Sequence, residues 1–341
     1  MSGGAGVMVI FGDDTDERRG PVARAGSPLT CFGVNQSATK LYYVGVNTSV
    51  RQLALTAVGW DLRDILASVG PDSPLASYGS GGTDPRVYCI NPDSRIVELA
   101  VKAAGWDSQK LPGEPALDSP LSCLGLGGND SRVYYVGKDR QIHELAPDPD
   151  GNFEDRTLPG TAVAPGSDLA CAPDPQGRVR VIYADASQRL QEITPDGASG
   201  AIDGTDPAPG TALTCFAMNN GDIRLYYLDR QSRINEVAWT GEDRVSRALP
   251  ATARPGSALT CFGAEGDLTR LYYLDGRARV NELGWSKGRW VNQVLPGTAA
   301  PDSALTCFGA GWLRTRLYYL DAQHRVNELA WQANRFVNTV L

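Results

Sequence analysis

Short apolar stretches with alternating polar positions recur along the whole chain, and residues typical of turns separate them. In residues 258–295 there are four such stretches: Ala258–Phe262, Arg270–Leu274, Val280–Trp285 and Arg289–Leu295. Asp275-Gly276 and Pro296-Gly297 are among the turn signals that bound them. The alternation of aromatic and β-branched residues predicts antiparallel strands and excludes tandem helical repeats of similar length.

A five-residue motif, Leu-Thr-Cys-Phe-Gly in its fullest form, recurs seven times. Its third positions are 46, 46, 48, 44, 46 and 46 residues apart. The copies begin at Leu29, Leu75, Leu121, Leu169, Leu213, Leu259 and Leu305. Four short strands in about 45 residues are typical of one blade of a β-propeller. The sequence therefore predicts an all-β fold, a seven-bladed β-propeller of four-stranded antiparallel blades.

The predicted propeller occupies residues 28–341 as a single domain, in which every repeat already contains its own fourth strand. Residues 1–27 form a predicted N-terminal extension with one spare β-like segment, Val7–Phe11. Because an unpaired edge strand favours unwanted association, we expect this segment to add to an edge or seam near the last blade.

The charge and composition exclude several classes of partner. The formal net charge is −7, which argues against nucleic acid and anionic membrane surfaces, since both attract Lys and Arg. No apolar run approaches the ~20 residues of a membrane span. Residues 1–6 lack the features of a secretory signal, so we expect a protein that is cytoplasmic or released without a classical signal peptide.

Six of the seven cysteines occupy the third position of the repeated motif, and Cys89 lies in a second strand. The chain contains no Cys-x-x-Cys, and the number of cysteines is odd. A cysteine that returns once per blade indicates a small buried residue on a crowded inner strand. We therefore expect packing in a reducing compartment, with neither metal, disulfide nor cofactor.

Six repeats place an Arg in the second strand and a Glu twelve residues later in the third. The pairs are Arg86/Glu98, Arg132/Glu144, Arg180/Glu192, Arg224/Glu236, Arg270/Glu282 and Arg316/Glu328; the first repeat has Lys40 and Gln52. Residues on adjacent strands of a hairpin can point the same way, so each pair could be a structural ion pair. An Arg fork beside a carboxylate also matches the vicinal hydroxyls of a sugar. The pattern alone leaves both interpretations open.

Strand parity predicts where the tryptophans lie relative to these pairs. Glu282 and Trp285 are three residues apart on one strand and therefore face opposite sides of the blade. A cleft between two blades would then have Arg and Glu on one wall and an indole on the other. Polar groups for hydroxyls and an aromatic plane for the C–H face suit a carbohydrate, although core packing between blades is the more common role for any single tryptophan.

These residues resemble the fucose-specific lectins of fungi and bacteria. Arg224-Leu225-Tyr226 followed by Ile234-Asn235-Glu236-Val237-Ala238-Trp239 is one close match, and the same pattern extends over all seven repeats, most clearly the last three. The resemblance implies that Arg and Glu of one blade bind the hydroxyls of fucose. It also implies that aromatic residues of the following blade stack on the apolar face and methyl group. Members commonly have six blades, so seven repeats are a departure.

The rule that the following blade supplies the aromatic wall ranks the clefts. The cleft of Arg224 and Glu236 comes first, because Trp285 and Trp290 give it two indoles. The others follow in this order: Arg270 and Glu282 with Trp331 and Phe336; Arg316 and Glu328 with Trp60; Arg180 and Glu192 with Trp239 and Arg244; Arg86 and Glu98 with Phe153; Arg132 and Glu144 with Thr194, Pro195 and Gly200. The first repeat should bind no sugar, since Lys lacks the planar fork and Gln the charge.

The expected function is multivalent, non-enzymatic binding of free fucose and fucosylated glycans, with homo-oligomerisation possible. The chain lacks a Gly-x-Ser-x-Gly motif, a His-based triad and a phosphate loop, and Asp148–Asp155 lacks the spacing of a calcium loop. Two alternatives stay open. A lectin-like propeller could serve as a natural-product cyclase, or its rim could bind another protein.

Overall fold

Seven four-stranded antiparallel sheets make up the described part of the chain in the computed structural model. It describes residues 21–33, 39–80, 84–103, 105–127, 130–160, 162–174, 176–194, 197–218, 220–241, 243–264, 268–309 and 315–341. The predicted segment Val7–Phe11 lies outside these residues. Within them there is no helix, and so no helix long and apolar enough to cross a membrane.

Each sheet corresponds to one sequence repeat and is numbered as a blade in chain order. Blade 1 contains β1 (Leu29–Phe32), β2 (Lys40–Val44), β3 (Ser49–Thr56) and β4 (Gly59–Ser68); blade 2 contains β5 (Leu75–Ser80), β6 (Asp84–Ile90), β7 (Ile96–Lys102) and β8 (Gly105–Lys110). Blade 3 contains β9 (Leu121–Gly127), β10 (Asp130–Val136), β11 (Ile142–Pro147) and β12 (Phe153–Thr157); blade 4 contains β13 (Leu169–Pro173), β14 (Val179–Ala184), β15 (Leu190–Ile193) and β16 (Ser199–Ala201). Blade 5 contains β17 (Thr214–Ala217), β18 (Ile223–Leu228), β19 (Arg233–Thr240) and β20 (Asp243–Thr252).

The last two blades complete the ring. Blade 6 contains β21 (Leu259–Ala264), β22 (Leu268–Leu274), β23 (Arg279–Ser286) and β24 (Arg289–Thr298); blade 7 contains β25 (Leu305–Phe308), β26 (Arg316–Leu320), β27 (Val326–Gln332) and β28 (Arg335–Val340). The first strand of each blade contacts the first strand of the next, and β25 contacts β1. The predicted seven-bladed β-propeller is thus confirmed.

The repeated motif at the start of each blade forms the contacts around the centre of the ring. Phe262 lies over Gly309 of the next blade, so closely that a Cβ at Gly309 would stand 2.0 Å from the ring. Phe32 covers Gly79, Tyr78 covers Gly125, Phe216 covers Gly263 and Phe308 covers Gly33 in the same way. A glycine is required here because there is no space for any side chain.

The hydroxyl and thiol of the motif form a second set of contacts between neighbouring blades. Thr260 Oγ1 lies 3.3 Å from Cys307 Sγ, and Thr306 Oγ1 lies 3.3 Å from Cys31 Sγ across the seam between the last and first blades. All seven cysteines are free thiols. Burial raises the pKa of Cys31 to about 12, so this thiol stays protonated at neutral pH.

A serine or threonine just before each first strand fixes the linker that enters the blade. Ser257 Oγ accepts a hydrogen bond from the backbone N–H of Leu274 at 2.9 Å, and Thr211 Oγ1 does the same for Leu228 at 2.8 Å. The corresponding acceptors in the other blades are Ser27, Ser73, Ser119, Ser167 and Ser303. This bond satisfies a buried N–H that the sheet leaves without a strand partner.

Residues 21–23 contact the last blade and close the ring. The Ala23 N–H donates to His324 O at 2.9 Å, in the turn between β26 and β27. After blade 6, the N–H of Ala299 in the inter-blade linker donates in the same way to Ala278 O. Ala23 therefore makes, on blade 7, the hydrogen bond that the linker residue makes on blade 6. Arg24 N–H then donates to Val44 O of blade 1 at 2.9 Å. This short segment therefore joins the two ends of the propeller.

Candidate functional site

The pairing of the second and third strands places Arg, Tyr and Glu on one face of a blade. In blade 5, Tyr226 is the direct partner of Glu236, and Arg224 lies two residues earlier on the same strand. Trp239 is three residues beyond Glu236 and therefore points to the opposite face. This is the arrangement that strand parity predicts.

The tyrosine holds the glutamate in place. Tyr226 Oη donates to Glu236 Oε1 at 2.9 Å, and the tyrosine is completely buried. Equivalent bonds join Tyr88 to Glu98, Tyr134 to Glu144, Tyr272 to Glu282 and Tyr318 to Glu328, at 2.8 to 3.0 Å. Blade 4 has Ile182 at this position, so Glu192 has no such support. The sequence motif contains this tyrosine, but the sequence analysis assigned it no role.

The cleft between blades 5 and 6 contains a cavity of about 210 Å³. Arg224 and Glu236 form one wall, and Trp285 and Trp290 of the following blade form the other. The two indoles are 5.4 Å apart with their planes at 59°, so they present an angled aromatic surface. Trp290 Nε1 is buried and has no hydrogen-bond partner among the described residues.

Arg224 and Glu236 are held by different partners in this cleft. The Arg224 guanidinium donates to the carbonyl oxygens of Ile223 and Trp239, each at 3.2 Å, and to Asp222 at 3.3 Å. Glu236 instead forms an ion pair with Arg247, whose Nη2 lies 2.6 Å from Glu236 Oε2. Arg224 is therefore anchored by backbone oxygens and does not depend on the glutamate for its position.

The cleft between blades 6 and 7 has a similar anchoring. Arg270 Nη1 donates to the carbonyl oxygens of Thr269 and Trp285 at 2.9 and 3.2 Å, and Arg270 Nε lies 3.5 Å from Glu282. Burial raises the pKa of Glu282, against the opposing effects of Arg270 and the tyrosine. On the other wall, Trp331 and Phe336 lie 5.1 Å apart in a T-shaped contact. Phe336 packs in the same apolar cluster as the tyrosine of blade 6.

The cleft between blades 7 and 1 lies at the seam of the ring. Arg316 Nη1 forms a direct ion pair with Glu328 Oε1. Trp60 of blade 1 meets Tyr318 of blade 7 edge-on, with ring centroids 6.0 Å apart. The structure therefore brings Trp60 to the cleft that the sequence ranking assigns to it.

The cleft between blades 4 and 5 is filled by its own side chains. Glu192 is bonded to Arg180 and also to Arg244 of blade 5, whose Nη1 lies 2.9 Å from Glu192 Oε1. The Arg180 guanidinium lies over the Trp239 ring, 5.3 Å from its centroid. The carboxylate and the indole face that a sugar needs are thus both covered by arginine.

Two further clefts have little or no aromatic wall. Arg86 pairs with Glu98 at 3.2 Å beside Phe153, around a cavity of about 170 Å³. The cavity beside Arg132 and Glu144 is larger, about 320 Å³, but its lining contains Thr194 and Gly197 rather than an aromatic ring of blade 4. Pro195 lies outside the described residues, and Gly200 is the strand partner of Glu192.

The first blade retains an aromatic wall although its charged pair is replaced. Tyr42 Oη donates to Gln52 at 3.3 Å, and Trp106 of blade 2 meets Tyr42 edge-on at 6.0 Å. Burial lowers the pKa of Lys40, and the neighbouring charge of Arg63 adds to this effect. Trp106 was missed by the sequence analysis, although it occupies the same fourth-strand position as Trp290 and Trp60.

A family model described as fungal fucose-specific lectin matches residues 30–300. The chain belongs to this lectin family. No curated protein matches the chain.

Solved structures of other lectins have the same fold. BP39L lectin from Burkholderia pseudomallei superposes with a TM-score of 0.75 at 15% identity, over 93% of this chain and 98% of that one. A structure of the Aleuria aurantia lectin, described as a six-bladed β-propeller, superposes with a TM-score of 0.62 at 18% identity, over 92% of this chain and 95% of that one. AofleA from Arthrobotrys oligospora superposes with a TM-score of 0.61 at 18% identity, over 79% of this chain and 86% of that one. At these identities the likeness shows the fold, and this lectin has one blade more than the protein from Aleuria.

A cluster of metal-ligating residues or the acidic stretch would be an alternative kind of candidate site. No group of three or more His, Cys, Asp or Glu in the described ranges could hold a metal ion. The acidic stretch from Asp148 forms a turn, in which Asp148 Oδ1 accepts hydrogen bonds from the N–H groups of Asp150 and Asn152. Its carboxylate is therefore used within the turn.

Proposed function

We propose that this lectin binds L-fucose and fucosylated glycans, without catalysis, in the clefts between its blades. The observation that carries the proposal is the cleft between blades 5 and 6. There an anchored arginine, a tyrosine-held glutamate, Arg247 and two indoles line a cavity of about 210 Å³. The matching family is described as fucose-specific, and a related Aleuria structure contains alpha-methyl-L-fucoside.

The chemistry of the cleft suits a deoxysugar. Arg224 supplies a planar fork of donors and Glu236 an acceptor, a combination that matches two neighbouring hydroxyl groups. Trp285 and Trp290 supply apolar surface for the C–H face and the methyl group of fucose.

Several such clefts on one ring favour binding to surfaces that carry many glycans. A single monosaccharide gains little over the costs of ordering and desolvation, so each site alone should be weak. Linking several weak sites raises the effective affinity for a multivalent glycan without new contacts. The proposed binding clefts are those of Arg224, Arg270 and Arg316, whereas the cleft of Arg180 is occupied by Arg244 and should bind poorly.

A titration of fucose into two matched variants tests the proposal. We expect Arg224→Ala to abolish binding at its cleft, whereas Arg132→Ala should leave total fucose binding nearly unchanged because its cleft lacks an aromatic wall. Tryptophan fluorescence and calorimetry measure both, with galactose as the control sugar. A larger loss from Arg132→Ala would contradict the ranking of the clefts. Failure to retain any fucosylated glycan on an array would overturn the proposed function.

A further inference from the structure

Arg247 covers the groups that a sugar would contact in the cleft between blades 5 and 6. Its Nε and Nη2 lie 2.7 and 2.6 Å from Glu236 Oε2, and its guanidinium carbon lies 5.5 Å from the centroid of Trp285. Its own side chain is 48% exposed, whereas that of Glu236 is 2% exposed. A solvent-accessible arginine thus lies across a buried carboxylate and an indole face.

The hydrogen-bonding capacity of Glu236 shows why this contact competes with a ligand. Oε1 accepts the Tyr226 hydroxyl, and Oε2 accepts the Nε–H of Arg247, with Arg247 Nη2 also 2.6 Å from Oε2. A carboxylate offers about four acceptor positions; two are used here, and the guanidinium lies in front of Oε2, where a sugar hydroxyl would have to bind. The stacking surface of Trp285 is likewise covered. A sugar that uses both groups has to displace Arg247.

The other blades show that an arginine is not required here. Arg247 is the fourth-strand partner of the cleft glutamate, and Gln293 occupies this position opposite Glu282. The corresponding residues in the other blades are Arg63, Gln109, Arg156, Gly200 and Thr339. Arg156 also pairs with its glutamate, at 2.8 Å, but the described lining of that cavity has no aromatic ring from the following blade. Arg247 therefore covers an otherwise well-formed site.

We propose that Arg247 is a displaceable plug that lowers the sugar affinity of the cleft with the two indoles. Fucose enters by lifting the guanidinium off Glu236 and Trp285 into solvent, where its exposed side chain has room to move. The cleft between blades 6 and 7 has Gln293 in place of the arginine and no such plug among its described residues, and it binds more tightly in the native protein. This inference rests on the proposed function, since it concerns access to the same clefts.

Fluorine NMR of the full chain labelled with 5-fluorotryptophan reads out each cleft separately. The Trp290 and Trp331 resonances are assigned by Trp290→Phe and Trp331→Phe and then followed during titration with L-fucose. We expect Arg247→Gln to tighten binding at Trp290 by about fivefold, the effect of losing a competing, partly exposed ion pair and a cation–π contact. Arg247→Lys keeps the charge and should stay close to the native affinity.

The reciprocal variant, Gln293→Arg, introduces a plug into the next cleft and should weaken binding at Trp331 by a similar factor. Unchanged or weaker binding at Trp290 in Arg247→Gln, with fucose still bound by the native protein, would overturn the plug and leave the proposed function standing. A lack of any fucose-dependent shift in all variants would overturn the proposed function and the plug together.

Discussion

The contact of an aromatic ring with a glycine of the next blade explains why Phe and Gly recur side by side in the motif. Phe262 and Gly309 are 47 residues apart, yet the ring lies where a Cβ at Gly309 would be. The glycine is needed for close approach rather than for an unusual backbone conformation. Any side chain here would push two blades apart at the centre of the ring.

Gly309→Ala should therefore destabilise the protein by about 1–3 kcal/mol, the usual cost of overpacking a core. Denaturant unfolding measures this loss. Gly276→Ala is the matched control, because a Cβ at Gly276 would meet nothing within 4 Å. Equal stability of the two variants would show that the ring can move aside without cost.

The cysteines of the first strands, which are partly exposed, predict a loss of stability in alkaline solution. Burial raises the pKa of Cys31, Cys171 and Cys261 to about 12, from 9.0 for an exposed thiol. Between pH 9 and pH 12 the unfolded chain releases protons that the folded chain retains, so the free energy of unfolding falls as the pH rises. Each thiol contributes a fall of about 1.4 kcal/mol per pH unit in this window.

Urea midpoints at pH 8 and pH 10.5 measure this effect. The urea midpoint should be clearly lower at pH 10.5. Cys261→Ala should make the fall of the unfolding free energy with pH less steep by the contribution of one thiol, about 1.4 kcal/mol per pH unit. Identical midpoints at the two pH values would mean that the thiols ionise as easily in the folded as in the unfolded state.

At the scale of the element, each blade is a meander whose entry linker is fixed by one hydroxyl. Ser257 accepts the N–H of Leu274, seventeen residues later, and Thr211 does the same in blade 5. The feature that the blades share is a hydroxyl on a short side chain, which serine and threonine both provide. The linker thereby places the first strand of a blade against the second.

Ser257→Ala should cost about 1–3 kcal/mol, because it leaves the buried N–H of Leu274 without an acceptor. Ser257→Thr should cost little, since Thr211 occupies the same position in blade 5. Thermal unfolding of the two variants compares them. If Ser257→Ala and Ser257→Thr unfolded at the same temperature, the role assigned to the hydroxyl would be wrong.

At the scale of the whole molecule, the ring is closed by residues from both ends of the chain. Ala23 bonds to His324 in the last blade, and Arg24 bonds to Val44 in the first. No strand is exchanged between blades 1 and 7; the segment 21–23 takes the place of an ordinary inter-blade linker among the described residues. The seam should therefore be a point at which the ring can be weakened selectively.

Ala23→Pro removes the N–H that donates to His324 and should lower the free energy of unfolding by about 1–3 kcal/mol. Ala25→Pro is the control, because the equivalent linker position is Pro71 in blade 2 and Pro301 in blade 7. Melting temperatures of the two variants decide the matter. A seam variant that melts with the native protein would show that these residues do not hold the ring closed.

The sequence by itself determined the number of blades, the strands of each blade and the face on which each side chain lies. These properties follow from a repeat of about 46 residues and from the alternation of side chains along a strand, both of which are local. The side of the cleft on which Glu236 and Trp285 lie could be predicted for the same reason. The spare segment Val7–Phe11 stays a prediction, since it lies outside the described residues.

Only the tertiary structure decided which charged groups meet in each cleft. The six Arg/Glu pairs look equivalent in sequence, yet they differ in the structure. Arg316 forms an ion pair with Glu328. Arg224 instead donates to backbone oxygens, and Arg247 forms the ion pair with Glu236. Arg244 reaches Glu192 across 52 residues of sequence. Long, flexible side chains choose among several partners according to the space that the neighbouring blade leaves. That space is set by packing between blades and not by the pattern of any one repeat.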